Sequence, residues 1–511
     1  MRLGTYMLRV LASFALLAPV AASSDGLDDA GTTNKTSAGP RMTDTQIGQA
    51  IEREFAFDSG VLAERIDVQT HAGIVELSGT TDNLLSRDRA EYLAETVKGV
   101  RSVVNRIEVL PAVVKSDEDL ARDVEDALAA DPATRSYKAF VESHHGTVSL
   151  SGTVDSPLEK RLVDRVARGV KGVRSVENHV AVAYGAPRSD AEIEKEVEAA
   201  LHWDPLIDNG LVEVAVEDGE VHLVGTVGSA AERRRAREDA WTSGVHHVQD
   251  DLEVAHWARD EELRAEKYVH KSDEDIAAAV MAALRHDPRV FSFDVDTSVR
   301  SGEVHLTGQV NNIKARRAAG RDAANTIGVR SVENDLVVEP SEPYMDEDVA
   351  IQVRAAVERN PYLDGTDIDV EVRDGTAFLA GVIDSYFGKG EADEVASRVE
   401  GVTSVVNNLV VSRSSLLSYN PYVDSWDVYD FDWYDPQLGP PLAQDETIRT
   451  AIESEMWWSP FVDSEEVDVE VEDGVATLTG TVDSWREWDA ASASAYEGGA
   501  IIVVNDLNVQ M

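Results

Sequence analysis

Histidines side by side, crowded carboxylates and glycines at fixed intervals are the residues of this 511-residue chain with chemical possibilities. His144–His145 and His246–His247 could each offer two imidazoles to a metal, but neither pair recurs along the chain, and no third ligand stands at a useful spacing. Both read as exposed turn histidines. There is no cysteine, which removes thiolate ligands, disulfides and a thiol nucleophile. The chain has no G-x-x-x-x-G-K-[ST] loop, no strand-borne G-x-G-x-x-G, no H-E-x-x-H and no G-x-S-x-G elbow. With 95 Asp plus Glu, paired carboxylates are too common to mark an acid–base site. The expectation is a protein without catalytic residues, metal or cofactor.

Charge is the more informative signal. The net charge of -48 argues against a nucleic-acid partner, yet basic residues collect in three places. These are Lys160, Arg161, Arg165, Arg168, Lys171 and Arg174; Arg233, Arg234, Arg235 and Arg237; and Lys314, Arg316, Arg317 and Arg321. The stretch from Ser116 to Pro132, by contrast, holds seven acids and one arginine. Three uses are open. The cations could face anionic lipid headgroups, at about 1 kcal/mol per residue. They could meet an acidic helix elsewhere in the chain or in a partner, making an assembly scaffold. Or they could be solvated helix faces with local i,i+4 pairs.

The elements that carry these residues form a repeat. An L-x-G phrase ends at Gly79, Gly152, Gly225, Gly308, Gly381 and Gly480, and a second glycine follows 19 or 20 residues later at Gly99, Gly172, Gly244, Gly328, Gly401 and Gly499. Six copies of one unit are present, each long enough for a small core. Each copy opens with an amphipathic helix: Ser189 and Glu192 form a capping box, and Leu120, Val124, Ala127 and Leu128 make one apolar stripe. Pro132, Pro205, Pro288, Pro361 and Pro460 stop these helices. Two alternating runs follow, joined at Asp218-Gly219, Asp374-Gly375 or Asp473-Gly474 by a two-residue hairpin turn. A second helix, opened by Ser156, Pro157 and Glu159 in copy two and by Ser229 and Ser484 in copies three and six, leads to a closing strand. The first glycine falls in the apolar register of its strand, where it would let a helix approach closely. The second reads as a helix-ending C′ residue. The fold class is α+β: six tandem α-β-β-α-β two-layer modules, beads on short linkers.

The boundaries follow from the repeat. Modules span 43–110, 116–184, 189–255, 272–338, 345–411 and 444–511, with closing phrases less regular in copies three and six. Residues 1–22 have the basic start, short apolar run and small residues at Val20 and Ala22 of a secretory signal peptide, followed by a flexible stretch 23–42. The linker 256–271 is charged and helical in pattern. The linker 412–443 sets Tyr419, Tyr422, Trp426, Tyr429, Phe431, Trp433 and Tyr434 among Asp424, Asp427, Asp430, Asp432 and Asp435, and docking on an adjacent module is the favoured reading. No later stretch is apolar enough to span a bilayer.

The phrase L-[ST]-G-x-V followed by G-V-x-[SG]-V-x-N-x-[LIV]-x-V resembles the BON domain of exported bacterial proteins. Copy two carries it as Leu150, Ser151, Gly152, Thr153 and Val154, then Gly172, Val173, Ser175, Val176, Asn178 and Val180. The resemblance implies a periplasmic or envelope setting, attachment to phospholipid surfaces or envelope proteins, a role in osmotic or envelope stress, and no enzymatic activity. Self-association of the chain would fit the scaffold alternative.

Overall fold

Thr43 and Gln46 cap the first helix of module one, Asp44–Phe57, reciprocally, and its buried stripe Ile47, Ile51 and Phe55 faces a three-stranded sheet. The strands Ile66–His71 and Ile74–Thr81 form an antiparallel hairpin. The second helix, Leu84–Glu95, then crosses over to Ser102–Val109, which pairs parallel with the central strand. All six modules repeat this order, with the second hairpin strand central in every sheet. The computed structural model describes residues 42–509, apart from 136, 184–187, 256–266, 268–270, 291–293, 341, 413–443 and 460. The proposed signal peptide, the aromatic linker and most of the charged linker lie outside these.

Each hairpin turn puts two consecutive residues at positive φ: Ala72-Gly73, His145-Gly146, Asp218-Gly219, Ser301-Gly302, Asp374-Gly375 and Asp473-Gly474. The turn predicted for three copies therefore serves all six. An acid on the first helix holds its tip. Asp190 accepts the Asp218 and Gly219 N–H groups at 3.0 and 2.9 Å, and Asp273, Asp346 and Asp445 do the same one module after another. These N–H bonds hold the Asp44 carboxyl below its ordinary range in module one.

The asparagine of the closing phrase has an equally local task. Asn178 donates to the Lys160 carbonyl of the second helix at 2.9 Å and accepts the Val180 N–H at 3.1 Å. Asn105, Asn334, Asn407 and Asn505 repeat the donation. In module three Asp250 takes this place and pairs with Arg233 instead, at 3.0 Å. Closing strands His247–Val254 and Ile502–Val509 nevertheless pair along their full length.

Both glycine readings need correction. A Cβ on Gly152 would lie 2.1 Å from the Lys138 carbonyl oxygen of the neighbouring strand, at φ +138°, so the close approach is strand to strand rather than helix to strand. Gly172 is left-handed, at φ +101°, but the second helix of module two, Pro157–Arg168, has already ended at Gly169. The second glycine therefore shapes the turn into the closing strand.

In module two Leu120, Val124 and Leu128 pack on Val148, Leu150, Val163 and Val166. Each such side chain contributes about 1.5–3 kcal/mol when fully buried, yet a unit of roughly 70 residues remains a marginal core. The α+β modules are as read, but the beads touch. Leu84 and Val109 of module one join the core of module two, Ile313 of module four that of module five, and Phe387 of module five that of module six.

Candidate functional site: the faces between modules

The second helices, including the basic ones, lie where modules meet. In modules one to three they run Leu84–Glu95, Pro157–Arg168 and Ala230–Asp239, and their charges close a circuit. Arg168 of module two reaches Asp88 of module one at 3.0 Å, Arg161 of module two reaches Glu238 of module three at 3.1 Å, and Arg234 of module three reaches Glu95 of module one at 3.0 Å. Arg234 also lies over the Tyr92 ring, 3.8 Å from its centroid. One helical position is used each time, because the repeat places Asp88, Arg161 and Arg234 at one structural site; of their partners, Arg168 and Glu95 share a second site and Glu238 stands three residues earlier.

Modules four and five repeat the contact with the signs sorted. The second helix of module four, Ile313–Ala324, is basic, whereas that of module five, Tyr386–Ser397, is acidic and buried from Phe387 onward. Arg317 pairs with Asp393 at 2.6 Å and donates to Ser397 Oγ at 2.6 Å. Lys314 lies 3.4 Å from Glu394 and 3.9 Å from Asp131 of module two. Burial alone would raise the Glu394 carboxyl, but Lys314, Arg398, Arg321 and Arg317 outweigh it and hold it well below the usual range. Burial, with Arg398 beside it, pushes Lys314 down to about 8.

A second kind of contact pairs modules across the two halves of the chain. The residue before a second glycine donates its N–H to the last carbonyl of another module's first helix. Lys171 donates to Arg359 at 2.7 Å and Glu400 to Ala130 at 3.4 Å, a reciprocal pair between modules two and five. Lys98 donates to Trp458, joining modules one and six, and Ile327 to Trp203, joining modules three and four. Lys171–Asp364 at 2.6 Å and Arg135–Glu400 add ion pairs between modules two and five, and His286 Nε2 approaches Glu196 to 3.3 Å between three and four. Module pairs are thus nested: three with four, two with five, one with six.

The sequence-predicted cations divide accordingly. Arg161, Arg168, Lys171, Arg234, Lys314 and Arg317 bridge modules, and Arg174 donates to the Val109 carbonyl of module one at 3.3 Å. Arg233 and Arg235 pair within module three, with Asp250 and Asp204. Arg321 has a partner and contributes to the field on Glu394. Lys160, Arg165, Arg237 and Arg316 make no ion pair among the described residues, and the last three are exposed. The histidines at 144, 145, 246 and 247 are exposed too, and no group of three or more potential metal ligands occurs among the described residues.

Two contributors escaped sequence reading. Lys267, in the charged linker, is buried and donates its ammonium to the carbonyls of Leu201, Asp204 and Ile207, closing the C-terminal end of module three's first helix. Glu54 of module one lies near Glu455 of module six; burial first, then Glu455 and Asp58, push its carboxyl up to about 7 against the pull of Arg53. A raised folded-state value means that this group's contribution to stability is full below its unfolded value of 4.5 and is lost as pH rises through about 7. Thermal unfolding should therefore show stability falling between about pH 4.5 and 7, and Glu54→Gln should flatten that slope.

Among curated proteins, the osmotically-inducible protein Y of Escherichia coli is 28% identical over 33% of this chain and 93% of its own length. The outer membrane lipoprotein DolP of Haemophilus influenzae is 29% identical over 28% of this chain and 78% of its own. The C-terminal domain of CdsD, a structural protein of the Chlamydia trachomatis type III secretion system, aligns with 45% of this chain at 18% identity and a TM-score of 0.12, which says nothing about how six modules are arranged. The BON domain model matches residues 43–111, 116–184, 189–256, 272–340, 345–413 and 444–511. With six such modules covering most of its length, the chain belongs to the BON domain family.

Proposed function

We propose that this chain is a non-catalytic protein of the bacterial envelope or periplasm, serving in osmotic or envelope stress as a body whose modules assemble on one another. The observation that carries the reading is the use of the basic second helices: Arg161, Arg168, Arg234, Lys314 and Arg317 are committed to acids of other modules. The printed names of the relatives, osmotically inducible in one case and outer-membrane in the other, support the setting. Small-angle scattering tests it. A compact particle that expands on Arg161→Glu with Arg168→Glu is expected, and an extended wild-type chain would overturn it.

Binding to phospholipid is a second reading, favoured by the cations that the interfaces leave over: Lys160, Arg237 and Arg316. Cosedimentation with anionic rather than neutral vesicles should then fall several-fold in a variant with Lys160, Arg237 and Arg316 changed to Glu, at unchanged compactness. Equal pelleting with both vesicle types, or none with either, rejects it.

A further inference from the structure

The outward face of the module five sheet is apolar on its central and closing strands, where the counterparts are mostly polar, and is bordered on the first strand by Asp367, Asp369 and Glu371. Phe378, Ala380 and Val382 on the central strand lie beside Val406, Asn408 and Val410 on the closing strand, in register. All six point away from the helices, alternating with the buried Ala377, Leu379 and Leu409. Val382 is 61% and Val410 63% exposed. The corresponding places in module one hold Glu76, Ser78, Thr80, Val104 and Glu108 opposite the five apolar ones, and module six has Thr477, Thr479, Thr481, Val504 and Asn508. A run of apolar side chains on an acidic protein marks a surface that something covers.

We infer that the aromatic segment 413–443 of the same chain covers this face. It leaves the closing strand directly: Ser404–Val411 ends on the patch itself, two residues before Arg413, and the chain returns at Gln444 to open the first helix of module six. About 30 residues can extend over ~100 Å, while the eight-residue strands to be covered measure roughly 27 Å. Both ends are tethered, so the segment meets the face at an effective concentration in the millimolar range. Its Tyr422, Trp426, Phe431 and Trp433 supply aromatic area to bury, and its aspartates can stay in water. Arg373, 5.4 Å from the Phe378 ring centroid and paired with Glu371 at 2.6 Å, stands at the rim of the face. The inference does not depend on the stress role proposed above.

Hydrogen exchange of the full chain, read by mass spectrometry, tests it. Amides in 413–443 should exchange at least tenfold more slowly than in the isolated peptide, at a concentration where the chain is monomeric. Val382→Lys with Val410→Lys should abolish that protection without changing the circular dichroism, since both side chains already face solvent. Trp426→Ala with Trp433→Ala should do the same from the other side. Exchange at the free-peptide rate in the wild type, or protection that survives both double variants, would overturn the inference. So would protection that appears only with dimerisation or only with vesicles, since a second copy or a lipid surface would then be the occupant.

Discussion

Alanine in place of Gly308 should unfold module four. The added Cβ would lie 1.9 Å from the Asp294 carbonyl oxygen, and the residue would have to hold φ +117°. The backbone conformation alone costs on the order of 1–3 kcal/mol. The collision is with backbone inside a hydrogen-bonded hairpin, which cannot step aside without breaking the Val295–Gly308 register. A total above about 4 kcal/mol is expected, comparable to the whole stability of so small a core. Gly365→Ala is the matched control: it has φ +76° with nothing within 4 Å of its Cβ, so it should cost only ~1–2 kcal/mol. Urea titrations followed by circular dichroism would compare them. Equal effects would show that conformation, and not the strand contact, fixes the glycine.

The contrast between those glycines shows what kind of information the chain displays openly. Period and type of residue revealed the module, its order of elements and its turns, because each is set by neighbours a few residues apart. Asn178 was visible as a motif position, but its partner on the second helix, like the hold of Asp190 on the hairpin tip, depends on how layers stack. The cations were visible as a departure from an acidic background, and a basic helix meeting an acidic one was among the readings that charge allowed. What charge could not supply was the order of partners. Lys171 and Arg359 lie in modules separated by two others, and nothing local in either marks the nested pairing that joins them. Lys267 was hidden for the opposite reason: among the charges of 256–271 it looks like every other lysine, and only a set of open helix carbonyls distinguishes it.

The strongest test of the charged contact between modules four and five is Glu394. It is 1% exposed, and its negative charge is what offsets three cations from module four, Lys314, Arg317 and Arg321, besides Arg398 of its own helix. Removing one member of a buried pair leaves the other charge desolvated without compensation, at about 3–5 kcal/mol. Glu394→Gln should therefore loosen module four from module five, and Glu394→Lys should separate them, because a fifth cation would stand in the same buried space. The loss falls on docking rather than on module folding, since the core of module five, Val353, Val370, Leu379 and Val402, is untouched. Circular dichroism should stay near the wild-type spectrum while the radius of gyration grows and the urea transition splits into two. The acid side gives an independent check. A lowered folded-state carboxyl supplies stability that is present above its unfolded value of 4.5 and is lost only as pH falls through the depressed folded value. Docking of module four on module five in the wild type should thus persist well below pH 4, whereas in Glu394→Gln that acid-sensitive contribution is absent at every pH.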